Sequence, residues 1–257
     1  SILPPTLLSA ESLNIAVAAN FRLPATALVK AFETTTGMKG AIITSSSSGK
    51  LYAQILQGAP YDIFLSADQE KPALLENRQL TVPGSRFTYA IGKLALWSSR
   101  PDIVDDKGEV LHRGQYTSIA IANPRLAPYG KAAQSILNNP AFAPPAGTRI
   151  ILGENISQVY HFSSSGNADL GFIAASQLYN GFTGEGTATG SKSTKGSFWL
   201  IPINLYPPIK QDAVLLARAS QSAAAKAFLA FLKSSRAKSI IESFGYELDV
   251  ETDHGAL

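Results

Sequence analysis

Residues 41–68 read AIITSSSSGKLYAQILQGAPYDIFLSAD, and the order of their parts decides the fold. AIITS (41–45) is an apolar run of strand length. Four serines and a glycine separate it from a helical stretch, Leu51 to Gln57, that stops at Gly58. A second apolar run, DIFLSA (62–67), follows. Neither run needs polar alternation, as expected of strands covered on both faces in a parallel sheet.

The same alternation extends along the chain. LNIAVAA (13–19), SIAIA (118–122), RIIL (149–152) and LGFIA (170–174) read as further buried strands. Pro24 to Thr35 places Ala27, Leu28, Ala31 and Phe32 on one helical face, with proline in the first turn and Gly37 as the stop. Pro128 to Leu137, Ser157 to Phe162 and Ala223 to Lys233 follow the same logic. Strands alternating with helices predict an α/β fold with mixed, mostly parallel sheets. Two stretches break the rhythm: FTYAIGKLALWSS (87–99) exceeds an average strand, and LIPINLYPPI (200–209) is extended and punctuated by proline. Both suit segments that cross between two lobes. One lobe then takes the chain ends, residues 1–90 and 205–257, and the other takes residues 91–204. TGEGTATGSKSTKGS (183–197) reads as a mobile surface loop.

Composition narrows the function. The 257 residues are 45% hydrophobic, enough for a sizeable core. The 22 Lys and Arg against 19 Asp and Glu give a net charge of +3, spread along the chain, so the dense basic stripe of a nucleic-acid binder is missing. No cysteine is present, which removes disulfides and thiolate metal sites and suits an oxidising compartment. No apolar run reaches spanning length, so a soluble protein is expected. The opening SILPPTLLSAES is short and broken by proline; it reads as a frayed terminus or as what survives beside a removed signal peptide, and the lack of a charged stretch before it favours the first.

The serine cluster alone is an N-cap and a turn. A phosphate loop is excluded, because Thr44 stands where its first glycine is required and Leu51 where its Ser or Thr is required. The pattern recurs, however. AANF (18–21), APYGK (127–131) and GENIS (153–157) also lie between a strand and a helix, two of the four junctions in each lobe. Facing lobes would bring four helix starts, rich in free N–H groups, around one cleft, a cage suited to an anion.

AVAANF, SSSSGKLYAQILQGAPYDIFLSADQEKPALL, PGSRFTYAIGKLALWS, IAIANPRLAPYGKAA and SGNADLGFIAASQL, in this order and spacing, resemble the periplasmic molybdate-binding proteins of ABC transporters. The resemblance covers nearly all the chain after about residue 12. It implies a two-lobed periplasmic binding protein of type II, an exported periplasmic monomer. Such a protein holds molybdate or tungstate between its lobes and passes it to the membrane permease. It implies no cofactor, no side-chain-ligated metal and no enzyme activity. Carried over by position, the donors fall on Asn20, on Ser48 through hydroxyl and amide, and on the backbone amides of Tyr129 and Ile156. Where many members have a serine this chain has Asn20, and where they have a tyrosine whose hydroxyl reaches the anion it has Ala174. A smaller branch shares both changes, with Asn20 replacing the lost donor.

Other readings fit less well. Lys50 and Lys131 lie near the loops but are expected to be solvated, not ligands. His161, with Ser163 to Ser165 and Asp169, is the nearest approach to a hydrolase triad, yet no G-x-S-x-G elbow accompanies it. Asp62 and Asp68 are expected to cap or pair. A binder of sulfate or another tetrahedral oxyanion is the closest rival.

Overall fold

The computed structural model describes residues 12–179 and 195–249. Its strands form two five-stranded sheets. The first contains β1 (Leu13–Ala18), β2 (Ala41–Ser46), β3 (Ile63–Leu65), β4 (Phe87–Gly92) and, from much later in the chain, β10 (Ile209–Leu215), in the order β2-β1-β3-β10-β4. The second contains β5 (Leu94–Ser98), β6 (Ser118–Ala122), β7 (Arg149–Gly153), β8 (Leu170–Ala174) and β9 (Ser197–Leu200), in the order β7-β6-β8-β5-β9. In each sheet the first three strands pair in parallel and the fourth is antiparallel to both neighbours. The mixed, mostly parallel α/β architecture expected from the sequence is therefore present twice.

The helices are α1 (Arg22–Thr36), α2 (Ser48–Leu56), α3 (Glu70–Asn77), α4 (Val110–Arg113), α5 (Pro128–Leu137), α6 (Ile156–Ser164), α7 (Ala223–Leu232) and α8 (Ser235–Ser243). In α1, Ala25, Leu28, Ala31 and Phe32 are buried, and Gly37 ends the helix at φ 73°, a left-handed conformation that glycine adopts without strain. Phe32 packs edge-on against Phe228 of α7, which ties both chain ends into one core with Ile15 and Ile63. Leu96, Ile119, Ala133 and Phe172 belong to a separate core around the second sheet.

Three details differ from the sequence reading. The strands β2 and β7 are sheet edges, not buried strands: Ile42 and Thr44 are exposed on one, and Arg149, Ile150 and Leu152 on the other. The helix α2 begins at Ser48, not Leu51, because the Ser47 hydroxyl accepts the Lys50 N–H at 3.3 Å and extends the helix back into the serine cluster. Helices α3, α4 and α8 are additions; α8 buries only Ala237 and Ile241, too sparse a stripe to read from sequence.

Among the described residues the chain changes sheets twice. Lys93 separates β4 from β5, which lie in different sheets, and residues 201–208 lead from β9 through a short 3-10 turn (Ile203–Leu205) into β10. The lobe limits set after residues 90 and 204 fall within β4 and within that turn. Residues 1–11, and the Gly, Ser and Thr-rich segment up to residue 194, lie outside the described residues.

Candidate functional site

Parallel strands deliver their following helices at the carboxyl edge of the sheet, with the first-turn N–H groups unpaired. The strand β1 runs through the 3-10 turn Ala19–Phe21 into α1, β2 runs into α2, β6 into α5 and β7 into α6. These four junctions border a single cavity whose eleven lining residues include Asn20, Ser48, Tyr129 and Ile156 and carry no charged side chain. The cavity volume is about 10 Å³. That is on the scale of the roughly 10–15 Å³ that one bound water needs, so the cavity suits only a compact ligand.

Each junction presents donors for a local reason. Ser48 is the first residue of α2, so its N–H lacks an intrahelical partner. Its hydroxyl oxygen accepts the Ala67 N–H at 2.9 Å, which leaves the hydroxyl proton to be donated elsewhere. Pro128 opens α5 and has no N–H, so the first donor of that helix belongs to Tyr129. Ile156 opens α6 behind Asn155, whose side chain accepts the Gln158 N–H at 3.1 Å.

Asn20 departs from the expectation that its side chain serves the anion. Its Nδ2 donates to Gln211 Oε1 at 2.8 Å and to Tyr246 Oη at 3.0 Å. Both amide protons are thereby used inside the protein, and the backbone N–H is the donor that Asn20 can offer. The cause is burial: an amide only 5% exposed must find protein partners, and Gln211 and Tyr246 supply them. Ala174 ends β8, fully buried, with its N–H donated to Gln177 Oε1 at 2.9 Å. Behind the cavity, burial pushes the hydroxyls of Tyr89 and Tyr129 well above the usual phenol range and that of Tyr246 up to about 12, so all three remain neutral donors.

The two lysines are paired across the rim. Lys50 of α2 meets Glu154 at 3.6 Å and Lys131 of α5 meets Glu70 at 3.0 Å, each pair joining residues that follow strands of different sheets. Neither lines the cavity. The suspected triad is dispersed: His161 is exposed, Ser163 donates to the Val159 carbonyl at 3.1 Å, and Asp169 accepts the N–H groups of Thr117 and Ser118 at 2.8 and 3.1 Å. Asp62 pairs with Arg218 and accepts the Asn14 N–H, while Asp68 caps and pairs with Lys71. Among the described residues no group of His, Cys, Asp and Glu could hold a metal ion, and no helix is long and apolar enough to cross a membrane.

The profile of the bacterial extracellular solute-binding proteins matches residues 13–247. The chain belongs to that family. Within this family of solute-binding proteins, it is 43% identical over 240 residues to the molybdate-binding protein ModA of Azotobacter vinelandii, covering 93% of this chain and 91% of that one. It is 45% identical over 231 residues to ModA of Rhodobacter capsulatus, covering 90% and 86%. The solved structure of the Azotobacter vinelandii periplasmic molybdate-binding protein superposes with a TM-score of 0.85, at 39% identity, over 93% of this chain and all of that one.

The sequence reading missed the polar residues behind the cavity. Gln211 and Asp212 are fully buried and stand as a polar pair inside the strand IKQDAVL. That pair within an apolar run was the available signal.

Proposed function

We propose that this protein captures molybdate, and equally tungstate, and delivers it to the membrane permease of an ABC transporter. It works in the periplasm as a monomer, with lobes formed by residues 1–90 and 205–257 and by residues 91–204. The anion sits in the uncharged cavity and is held by Ser48 through hydroxyl and N–H, and by the backbone N–H groups of Asn20, Tyr129 and Ile156. The observation that carries the reading is that four helix starts, two from each sheet, line one cavity without a charged side chain.

The energetics are sufficient. A charge-assisted hydrogen bond contributes about 1.5–3 kcal/mol, and five to seven of them cover a micromolar to nanomolar affinity of about 8–12 kcal/mol after the costs of ordering and closure. Neutral donors match a dianion without the deep electrostatic well that a buried lysine would create, so release to the permease stays feasible. The relatives' names support molybdate as the first ligand to test. Calorimetric titration with molybdate, tungstate, sulfate and phosphate is the experiment: the first two should bind at one site per chain. Absence of molybdate binding overturns the reading.

A further inference from the structure

The cavity donors come from two different sheets, so something must hold them in register when the lobes are together. One buried side chain hydrogen-bonds cavity residues from both. Gln211 is on β10, the strand that returns the chain to the first sheet, and is fully buried. A register irregularity in the β10–β4 pairing falls between Gln211 and Asp212, the kind of local bulge that re-aims a strand side chain. Gln211 Oε1 accepts the Asn20 amide at 2.8 Å and the Tyr89 hydroxyl at 3.2 Å. Its Nε2 donates to the Tyr129 hydroxyl at 3.3 Å. Asn20 belongs to the first sheet's junctions and Tyr129 to the second's, and both line the cavity.

The neighbouring backbone is shaped for this contact. Gly92, the last residue of β4, lies directly beneath the pair, and a Cβ there would collide with Tyr129 Oη and Gln211 Nε2. The next residue, Lys93, is the point where the chain passes to the second sheet. Tyr129 therefore offers its N–H at the cavity and anchors its ring tip at the crossing between sheets. The Tyr246 hydroxyl completes the bracket by donating to the Asn20 carbonyl at 2.8 Å.

We propose that Gln211 is a positioning residue for the anion site: by binding Asn20 and Tyr129 together it couples ligand capture to closure of the lobes. This rests on the proposed oxyanion reading. The Gln211–Tyr129 bond joins an element of the first sheet to one of the second, so parting the lobes is expected to break it, and the bond then strengthens the bound state and slows ligand release. Gln211→Leu and Tyr129→Phe each remove that bond and leave every backbone N–H at the cavity in place.

The test is a double-mutant cycle on molybdate affinity and dissociation rate, with ligand-free thermal unfolding of each protein as control. Tyr129→Phe should release molybdate about tenfold faster, the value of one hydrogen bond lost from the bound state; Gln211→Leu, which also takes an acceptor from Asn20 and Tyr89, should release it at least as fast, and the double variant should be no worse than the poorer single one. Gln211→Asn, one methylene too short to reach both partners, should not rescue. Tyr129→Phe carries the test alone if Gln211→Leu fails to fold. Multiplicative losses in the double variant, or an unchanged dissociation rate in Tyr129→Phe, overturn the proposal. Failure of the wild-type protein to bind molybdate would instead remove the oxyanion reading itself.

Discussion

The Gly49 N–H donates to the Leu126 carbonyl oxygen at 2.8 Å, joining the second residue of α2, beside the first sheet, to the loop that leads from β6 into α5 beside the second. A Cβ built on Gly49 would lie 2.9 Å from that oxygen and 3.0 Å from the Leu126 Cα, contact with backbone that cannot swing aside. Gly49→Ala should therefore penalise the closed arrangement and spare the open one. Alanine is about 0.5–1 kcal/mol better than glycine inside a helix, so ligand-free stability should hold or rise. Molybdate affinity should fall about tenfold or more, and small-angle scattering should show a weaker contraction on binding. Equal affinity in the two proteins would show that the lobes close without this contact.

Ser48→Ala removes the only side-chain proton donor assigned to the anion and leaves the Ala67 N–H without its 2.9 Å acceptor. The combined effect on molybdate binding should be about 1.5–3 kcal/mol, with the fold intact. Calorimetry checks it, and unchanged affinity would take Ser48 out of the site.

The rim pair of Lys131 and Glu70 gives a small pH effect of definite sign. The hydrogen bond and charge of Lys131, helped by Lys71, hold the Glu70 carboxyl below its ordinary range, against a minor opposing effect of burial. A depressed carboxylate contributes above its ordinary pKa, and the contribution is lost as pH falls through the depressed value. Opening the lobes separates the pair, so the loss weakens closure. Both side chains are more than half exposed, at 55% and 60%, which limits the effect to below about 1 kcal/mol. Comparing wild type with Glu70→Gln across pH removes the ligand's own protonation, which affects both proteins alike. Their dissociation constants should differ slightly at pH 7 and converge in acid; a gap that widens in acid would contradict the assignment.

Selectivity should follow size. Molybdate and tungstate are nearly equal in size and larger than sulfate, while all three are doubly charged near neutral pH, so charge cannot separate them. Donors anchored to four helix starts cannot all shorten toward a smaller ion without moving helices. Each donor left unpaired costs about 1–3 kcal/mol, and two such losses approach a thousandfold. Molybdate and tungstate should bind within about tenfold of each other, and sulfate and phosphate at least a hundredfold more weakly. Phosphate suffers further because its monoprotonated form brings a hydrogen to donors. Displacement of bound molybdate by excess sulfate at neutral pH checks this, and ready displacement would favour a general sulfate-type binder.

The junctions were legible because their signals are local. A short apolar run, a capping residue and a helical stretch sit within about fifteen residues of one another, and Ser47, Pro128 and Asn155 mark three of the helix starts. The orientation of Asn20 was not legible, because its partners lie 191 and 226 positions away in the chain. Gln211 was hidden for the same reason: a polar residue in an apolar strand gives no hint of what it binds until distant elements surround it. The edge character of β2 and β7 depends on strand order, which no local pattern in AIITS or RIIL encodes.

On the proposed function, an oxyanion is held between the sheets by the helix starts at Asn20, Ser48, Tyr129 and Ile156. Co-crystallisation with molybdate, and an anomalous difference map collected at the molybdenum absorption edge, tests it most directly. One strong peak is expected in the cavity, with oxygens within hydrogen-bond reach of the backbone N–H groups of all four residues and of the Ser48 hydroxyl. A peak elsewhere, or one coordinated by Lys50 or Lys131 on the rim, would contradict it.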